Sequence, residues 1–281
     1  MNNLKTVALL GFMSALVALI AYEFNGGFVV PMLFVVGLNV VAYFFSDKMA
    51  IAATRAKPVA DHELPQVYSI VSNLTARTGM PMPKIYLIDS PQPNAFATGR
   101  NPKHAAVAVT TGILQMLNTA ELEGVLAHEL AHVSNRDILI SSIAAMMAGA
   151  LTIFARMAFW FGGGSRSREN PLGAIIGLAS LILAPIAAIL IRTAISRTRE
   201  FQADHTGAEI TGSPLQLASA LEKISAGTER IPMAVNPATS QLFIANPLKA
   251  VRGQGMMSLL STHPPVEDRI QRLTEMAQGL R

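Results

Sequence analysis

The chain has no cysteine, so disulfide bridges and thiolate-bound metal are excluded, although compartment is not fixed by that alone. It is also poor in charge. Only 14% of its 281 residues are Asp, Glu, Lys or Arg, against 51% hydrophobic residues. The mean hydropathy of +0.39 argues against an ordinary soluble domain and predicts a membrane protein. No basic patch interleaved with aromatics is found, so no nucleic-acid partner is expected. The net charge of +4 reads instead as the cytoplasmic flanks of membrane spans.

Long uncharged runs are what the sequence does have. Residues 6–22 and 28–45, separated by the polar turn Glu23 to Gly27, predict a transmembrane hairpin. A cleavable signal peptide is the competing reading of 6–22, with Ala18 and Ala21 as small residues, but a second apolar run follows almost at once. Residues 138–160 and 171–191 predict a second hairpin, with Arg156 and Trp160 at the far interface and a Gly-rich linker between. Lys5 precedes the first hairpin; Lys48, Arg55 and Lys57 follow it, and Arg192, Arg197 and Arg199 follow the second. Positive charge therefore places both ends in the cytoplasm, with Arg166 and Arg168 as mild violations. No ionisable residue sits mid-span, which argues against a transporter.

The polar segment 47–137 reads as α/β structure. An amphipathic helix is predicted at Leu64 to Thr78, strands at 84–89, 94–98 and 106–111, and a short helical piece at Ile113 to Leu117. Glu121 to His132 then reads as helix, since Leu122, Val125, Leu126, Leu130 and Val133 recur at helical spacing. It carries His128-Glu-Leu-Ala-His132. Two histidines one turn apart share a helix face and can both reach one Zn²⁺, and Glu129 beside the first can take a proton from water.

The third ligand is predicted from height above the membrane. Glu200 stands roughly 12 Å past the end of the fourth span and His132 roughly 9 Å before the third. Both emerge on the same side, and a carboxylate suits a two-histidine site. Asp204, one turn on, is placed to accept a hydrogen bond from a ligand histidine. The bland alternative for both is a solvated charged face. Asp137 is open to three readings: orienting a ligand, tying the active helix to the membrane exit, or a plain helix-end carboxylate. Residues 193–281 complete the site: a helix at 215–224, an irregular stretch 229–258 that reads equally as lid or connection, and a surface helix at 266–279.

These motifs resemble the HtpX family of membrane-bound zinc metalloproteases, related to the CAAX prenyl proteases. The resemblance rests on the first hairpin, His128 to Asp137, the two later spans, Glu200-Phe-Gln-Ala-Asp204, and Thr262-His-Pro-Pro265 with Arg269. It implies an α-helical membrane protein with four transmembrane helices and a cytoplasmic α+β zincin-like metalloprotease domain. The domains expected are a hairpin at 1–46, the zincin-like segment at 47–137, a hairpin at 138–192 and a completing segment at 193–281. The resemblance implies one Zn²⁺ per chain on His128, His132 and Glu200, Glu129 as base, and a substrate-binding edge strand at Asn94, Ala95, Phe96 and Ala97. It places His263 and Arg269 near the site, where chemistry offers them the role of donors to an oxyanion; a turn histidine, and an arginine paired with Glu267 or a helix end, are the alternatives. The expected activity is endopeptidase cleavage of misfolded membrane proteins at the cytoplasmic face of a bacterial-type inner membrane, with protein substrates and the lipid bilayer as partners. The rivals are a narrow processing protease and a non-catalytic, zinc-stabilised scaffold.

Overall fold

The computed structural model describes Gly11 and residues 29–143, 197–235, 239–250 and 264–279. Its helices are α1 (Val29–Ala53), α2 (Pro65–Thr78), α3 (Thr111–Met116), α4 (Thr119–Ser134), α5 (Arg197–Thr211), α6 (Pro214–Arg230) and α7 (Val266–Ala277). Its strands are β1 (Lys57–Pro58), β2 (Lys84–Ile88), β3 (Ala95–Gly99) and β4 (Ala105–Thr110).

Local chemistry explains the boundaries. Proline at the first turn of α2 costs no intrahelical bond, because the N–H it lacks would have no partner there. The helix stops at Gly79, whose φ of 66° is a left-handed conformation that glycine adopts without strain. Val67, Ile70, Val71 and Leu74 form its buried face. At the start of α4, the Asn118 side chain accepts from the Glu121 amide at 2.9 Å and the Glu121 carboxylate accepts from the Asn118 amide at 3.0 Å. This reciprocal cap satisfies two orphan donors of the helix that carries the histidines. Ser219 and Lys223 of α6 also donate to Glu121, at 2.6 and 2.8 Å, so the cap ties α6 to α4.

The strands lie in the order β1-β2-β4-β3. β2 and β4 run parallel, with Ile85 opposite Val107; the outer pairs are antiparallel, with Ala97 opposite Val107 in β3–β4. Strand alternation sorts the two faces. Ile85, Ala95, Ala97, Val107 and Val109 pack with Leu74 of α2, Leu126 and Leu130 of α4 and Leu221 of α6. Ile88, Phe96 and Ala108 pack on the other side with Ala50 of α1, Met233, Leu242 and Phe243. The three predicted strands are present. The two-residue β1 is too short to leave a periodic signal.

β3 is the edge strand, yet all five of its residues are buried. Its outer rim is covered by the segment after a 3₁₀ turn at Ser240–Leu242. The Ile244 amide donates to the Ala95 carbonyl at 2.9 Å, and Phe243 meets Phe96 edge-on at 5.1 Å between ring centres. The stretch predicted as irregular from 229 thus holds real structure, although residues 236–238 and 251–258 lie outside the described residues. α7, expected on the surface, instead buries Arg269 and Leu273.

Among the described residues no helix is long and apolar enough to cross a membrane. The spans expected at 6–22, 138–160 and 171–191 lie outside them, apart from Gly11 and a helical stretch at 138–143, and the span expected at 28–45 falls on α1. The second half of α1 exposes Val40, Val41, Phe44, Phe45 and Met49, each more than two-fifths accessible.

Candidate metal centre and active site

α4 and α5 cross closely and bring together residues about seventy positions apart in sequence. The buried face of α5 is Glu200, Ala203, Asp204, Gly207 and Ala208, small residues alternating with two carboxylates at helical spacing. Gly207 permits the approach: a Cβ there would stand 2.9 Å from the His128 backbone nitrogen.

His128, His132 and Glu200 converge so that one ligand atom from each lies within 4.8 Å of the others. The two Nε2 atoms are 3.2 Å apart. Glu200 Oε1 is 3.5 Å from His132 Nε2, and Glu200 Oε2 is 3.9 Å from His128 Nε2. A tetrahedral zinc with bonds of about 2.0–2.1 Å separates its ligands by about 3.3 Å, so these spacings fit the ion.

The outer nitrogens sharpen the case. His128 Nδ1 lies 2.9 Å from Asp204 Oδ1, and His132 Nδ1 lies 3.1 Å from Asp137 Oδ2. Each carboxylate holds a proton on Nδ1, which leaves both Nε2 lone pairs facing one point beside a third carboxylate. Such a set calls for a cation. Without a metal, a proton on His132 Nε2 would answer that need: burial alone would lower the pKa of His132, but Asp137, Glu200 and Glu129 outweigh it and push it up to about 10. Asp204 is likewise pushed up by burial, but the Arg269 guanidinium and His128 hold it down to about 2.

Glu129 faces the same pocket. One of its oxygens, Oε2, accepts from the Ala97 amide at 2.8 Å, which joins the active helix to the edge strand. Burial raises its pKa, against the pull of His128, His132 and the Ala97 amide and with the help of Glu200. A carboxylate whose pKa is raised is a better proton acceptor than an ordinary glutamate.

The pocket thus groups two histidines and a glutamate that could hold a metal, with a second carboxylate beside them, and the sequence profile of peptidase family M48 matches residues 61–277. The chain belongs to peptidase family M48. It is a metalloprotease. The protease HtpX homolog of Pelotomaculum thermopropionicum is 50% identical over 99% of this chain and 100% of its own length. The protease HtpX homolog of Ralstonia pickettii is 51% identical over 99% of this chain and 97% of its own. The crystal structure of S. mikatae Ste24p shares the fold, with a TM-score of 0.51 at 21% identity. That match covers 96% of this chain and 64% of the Ste24p chain, so this M48 member spans less than two thirds of that structure's length.

The other expected site residues fall in different places. Asp137 and Asp204 sit behind the two histidines, as described. Arg269 was expected to face an oxyanion. It is fully buried and does not line the pocket: Nε and Nη2 bind Asp204 at 2.8 and 2.6 Å, and Nη1 donates to the Ile244 carbonyl at 3.3 Å. Its charge is spent on Asp204, behind His128, so the oxyanion assignment is corrected to one of support. His263 lies outside the described residues.

The expected substrate edge is also narrowed. The Asn94 side chain donates to the Ala245 carbonyl at 2.9 Å and accepts from the Ala245 amide at 3.3 Å. The Ala95 carbonyl is bound by Ile244 and Phe96 is covered by Phe243. Of the four expected residues, only Ala97 lines the pocket. Three polar lining residues escaped sequence reasoning, Ser141, Arg199 and Gln241. Arg199 reads in sequence as a membrane flank, and its one available signal is its place beside Glu200. Gln241 has no sequence signal at all.

Proposed function

We propose that this M48 protease is a membrane-bound, zinc-dependent endopeptidase that cuts misfolded or damaged membrane proteins at the cytoplasmic face of an inner membrane. The observation that carries the reading is the bond between Glu129 and the Ala97 amide beside the His128, His132 and Glu200 cluster. It sets a proton acceptor between a metal site and a strand edge, where an extended peptide can lie.

His128, His132 and Glu200 would hold one zinc per chain. Zinc bound there supplies a Lewis acid that acidifies water and polarises the scissile carbonyl. The chain's own residues do the rest. Glu129 Oε2 is held by Ala97, so Oε1 is the oxygen that takes the proton from the attacking water and later passes it to the leaving amine. Asp204 and Asp137 keep the imidazoles in the tautomer that leaves Nε2 free. Arg269 holds Asp204 ionised in a buried place. His263 keeps the role of a donor to the oxyanion.

Residue Ala97 turns its N–H outward, and in a strand the C=O of the same residue points the same way. A substrate strand paired there is read through its main chain, which gives broad sequence tolerance and suits the disposal of unfolded protein. The exposed apolar side chains on α1 support contact with lipid. Lys48 lies over the Phe45 ring at 5.1 Å and Arg100 over Phe44 at 5.3 Å, a pairing of cation and aromatic suited to a membrane surface. The four spans and the cytoplasmic ends belong to this proposal.

The test pairs zinc content with casein cleavage in detergent. Parent protein should bind about one zinc and cut casein, lose both with a chelator and regain both with zinc. Glu129→Gln should keep zinc and lose cleavage, and Glu200→Gln should lose the metal. A zinc-loaded Glu129→Gln protein that cuts as fast as the parent would sink the mechanism.

A further inference from the structure

Among the described residues, three side chains that line the active-site pocket bury polar atoms without a hydrogen-bond partner: Asp137 through Oδ1, an acceptor behind His132, and two that can donate, Gln241 and Arg199. Gln241 is 4% exposed, and both its Oε1 and its Nε2 lack a hydrogen-bond partner. Arg199 is 9% exposed, and its Nη1 lacks one. Both line the pocket that holds His128, Glu129, His132 and Glu200. They come from different elements: Arg199 from the first turn of α5, and Gln241 from the 3₁₀ turn that leads onto the β3 edge. Buried polar groups are nearly always paired, and an exception beside a reactive site asks for a ligand.

The chemistry of the groups says which. A primary amide offers one acceptor and two donors in one plane. In an extended chain the N–H and C=O of one residue point the same way, so a single amide can bind both. This molecule already contains such a pair: the Asn94 side chain donates to the Ala245 carbonyl and accepts from the Ala245 amide. Gln241 carries the same group, unpartnered, four residues before Ala245. Arg199 adds a donor of fixed charge. That charge stands near Asp137 and Glu200, and Nη1 is left with a hydrogen to donate to a carbonyl oxygen.

We propose that Gln241 and Arg199 bind the main chain of the peptide substrate. Gln241 makes a two-point pair with one extended residue, and Arg199 donates to a neighbouring carbonyl. The inference rests on the endopeptidase reading and adds to it a wall facing the substrate from outside the sheet, where Ala97 is the sheet's own contribution. It also accounts for the 3₁₀ turn itself. The turn is moored to β3 through Phe243, Ile244 and Ala245, so its amide is held at a fixed place over the pocket.

The experiment uses the full chain in detergent, with a fluorescein-labelled casein peptide as the probe. Peptide binding is read by anisotropy in the zinc-loaded Glu129→Gln background, and kcat and KM are read in the active background. Zinc content and melting temperature are read for every variant. Gln241→Leu removes both unpaired atoms at nearly constant shape, so it should raise the melting temperature. It should also weaken peptide binding about tenfold and raise KM to match, with zinc unchanged. Arg199→Met should weaken binding by a similar factor, and Arg199→Lys, which keeps a cation between Asp137 and Glu200, should recover part of it. A Gln241→Leu protein that melts higher and binds peptide like the parent would overturn the proposal, because the amide would then be held only by water. If Arg199→Met fails to fold, the Gln241→Leu and Arg199→Lys results decide. If the parent cuts no peptide at all, the endopeptidase reading fails, and the binding comparison still judges this one.

Discussion

Arg269 grips Asp204 through two bonds, Nε to Oδ2 at 2.8 Å and Nη2 to Oδ1 at 2.6 Å, and both residues are buried. The pair spans 65 residues of sequence and sits directly behind His128, which meets Asp204 Oδ1 at 2.9 Å. Fixing α7 to α5 and orienting a histidine of the candidate metal site are therefore one interaction. Arg269→Ala would leave a buried carboxylate without its cation, at a cost of about 3–5 kcal/mol. The variant should unfold at much lower temperature and bind zinc more weakly. An oxyanion role would look different: near-normal melting and zinc affinity, with kcat alone reduced. Chelator competition and thermal melting on the same sample separate the two.

Asp137 gives a milder test of the same principle. It holds His132 Nδ1 at 3.1 Å and is itself buried. Asp137→Asn keeps the shape but presents a neutral group to the imidazole. Zinc affinity should fall roughly 10- to 100-fold, the usual cost of losing a carboxylate behind a ligand histidine. Titration against a fluorescent zinc chelator would measure it, and an unchanged affinity would reduce Asp137 to a helix-end carboxylate.

How much of this was legible beforehand follows from the range of each interaction. The His128-Glu-Leu-Ala-His132 helix was legible because period and spacing are local, and Asp204 because it lies one turn from Glu200. Glu200 itself needed an argument about heights above a membrane; its convergence with the two histidines is seen at the α4–α5 crossing, while the spans behind that argument lie outside the described residues apart from 138–143. Arg269 was placed near the site by resemblance, but not its partner: the carboxylate that it grips is 65 residues away, and no local spacing links the two. The cover over β3 was invisible in kind. The bond from Ile244 to Ala95 joins main-chain groups, which every residue has. Arg199 carried a signal that pointed elsewhere, since basic residues after an apolar run also mark a membrane flank.

Glu121 allows a prediction in pH. Burial pushes its pKa up, but Lys223, Ser219 and the Asn118 amide outweigh burial and hold it below its ordinary value. A carboxyl lowered by folding stabilises the protein above its ordinary pKa and stops doing so as pH falls through the folded value. Glu121→Gln should therefore melt lower than the parent at pH 6, by on the order of 1–2 kcal/mol for the loss of charge in the Lys223 contact. The gap should close as pH falls below the ordinary carboxyl range and through the lowered folded value. Zinc release at acid pH affects both proteins, so the difference between their melting curves is the quantity to follow. A gap that is constant across this range would mean that Glu121 acts through shape alone.

Gly207 offers a test in which the ordinary rule changes sign. In most helices glycine is worse than alanine by about 1 kcal/mol, so Gly→Ala stabilises. At Gly207 a methyl group would stand 2.9 Å from the His128 nitrogen and 3.1 Å from its Cα, both backbone atoms inside α4. Neither can swing away as a flexible side-chain tip could. α5 must back off, and it carries Glu200 and Asp204 on the same face as Gly207. Gly207→Ala should thus lower melting temperature and zinc affinity together, although it touches neither the metal nor the pocket. His205→Ala, on the exposed side of the same helix, controls for helix propensity and should leave zinc affinity unchanged. Competition with a chelator reads both variants. A Gly207→Ala protein that melts higher and binds zinc normally would show that α4 and α5 have slack at their crossing, and that Glu200 reaches the histidines without needing the glycine.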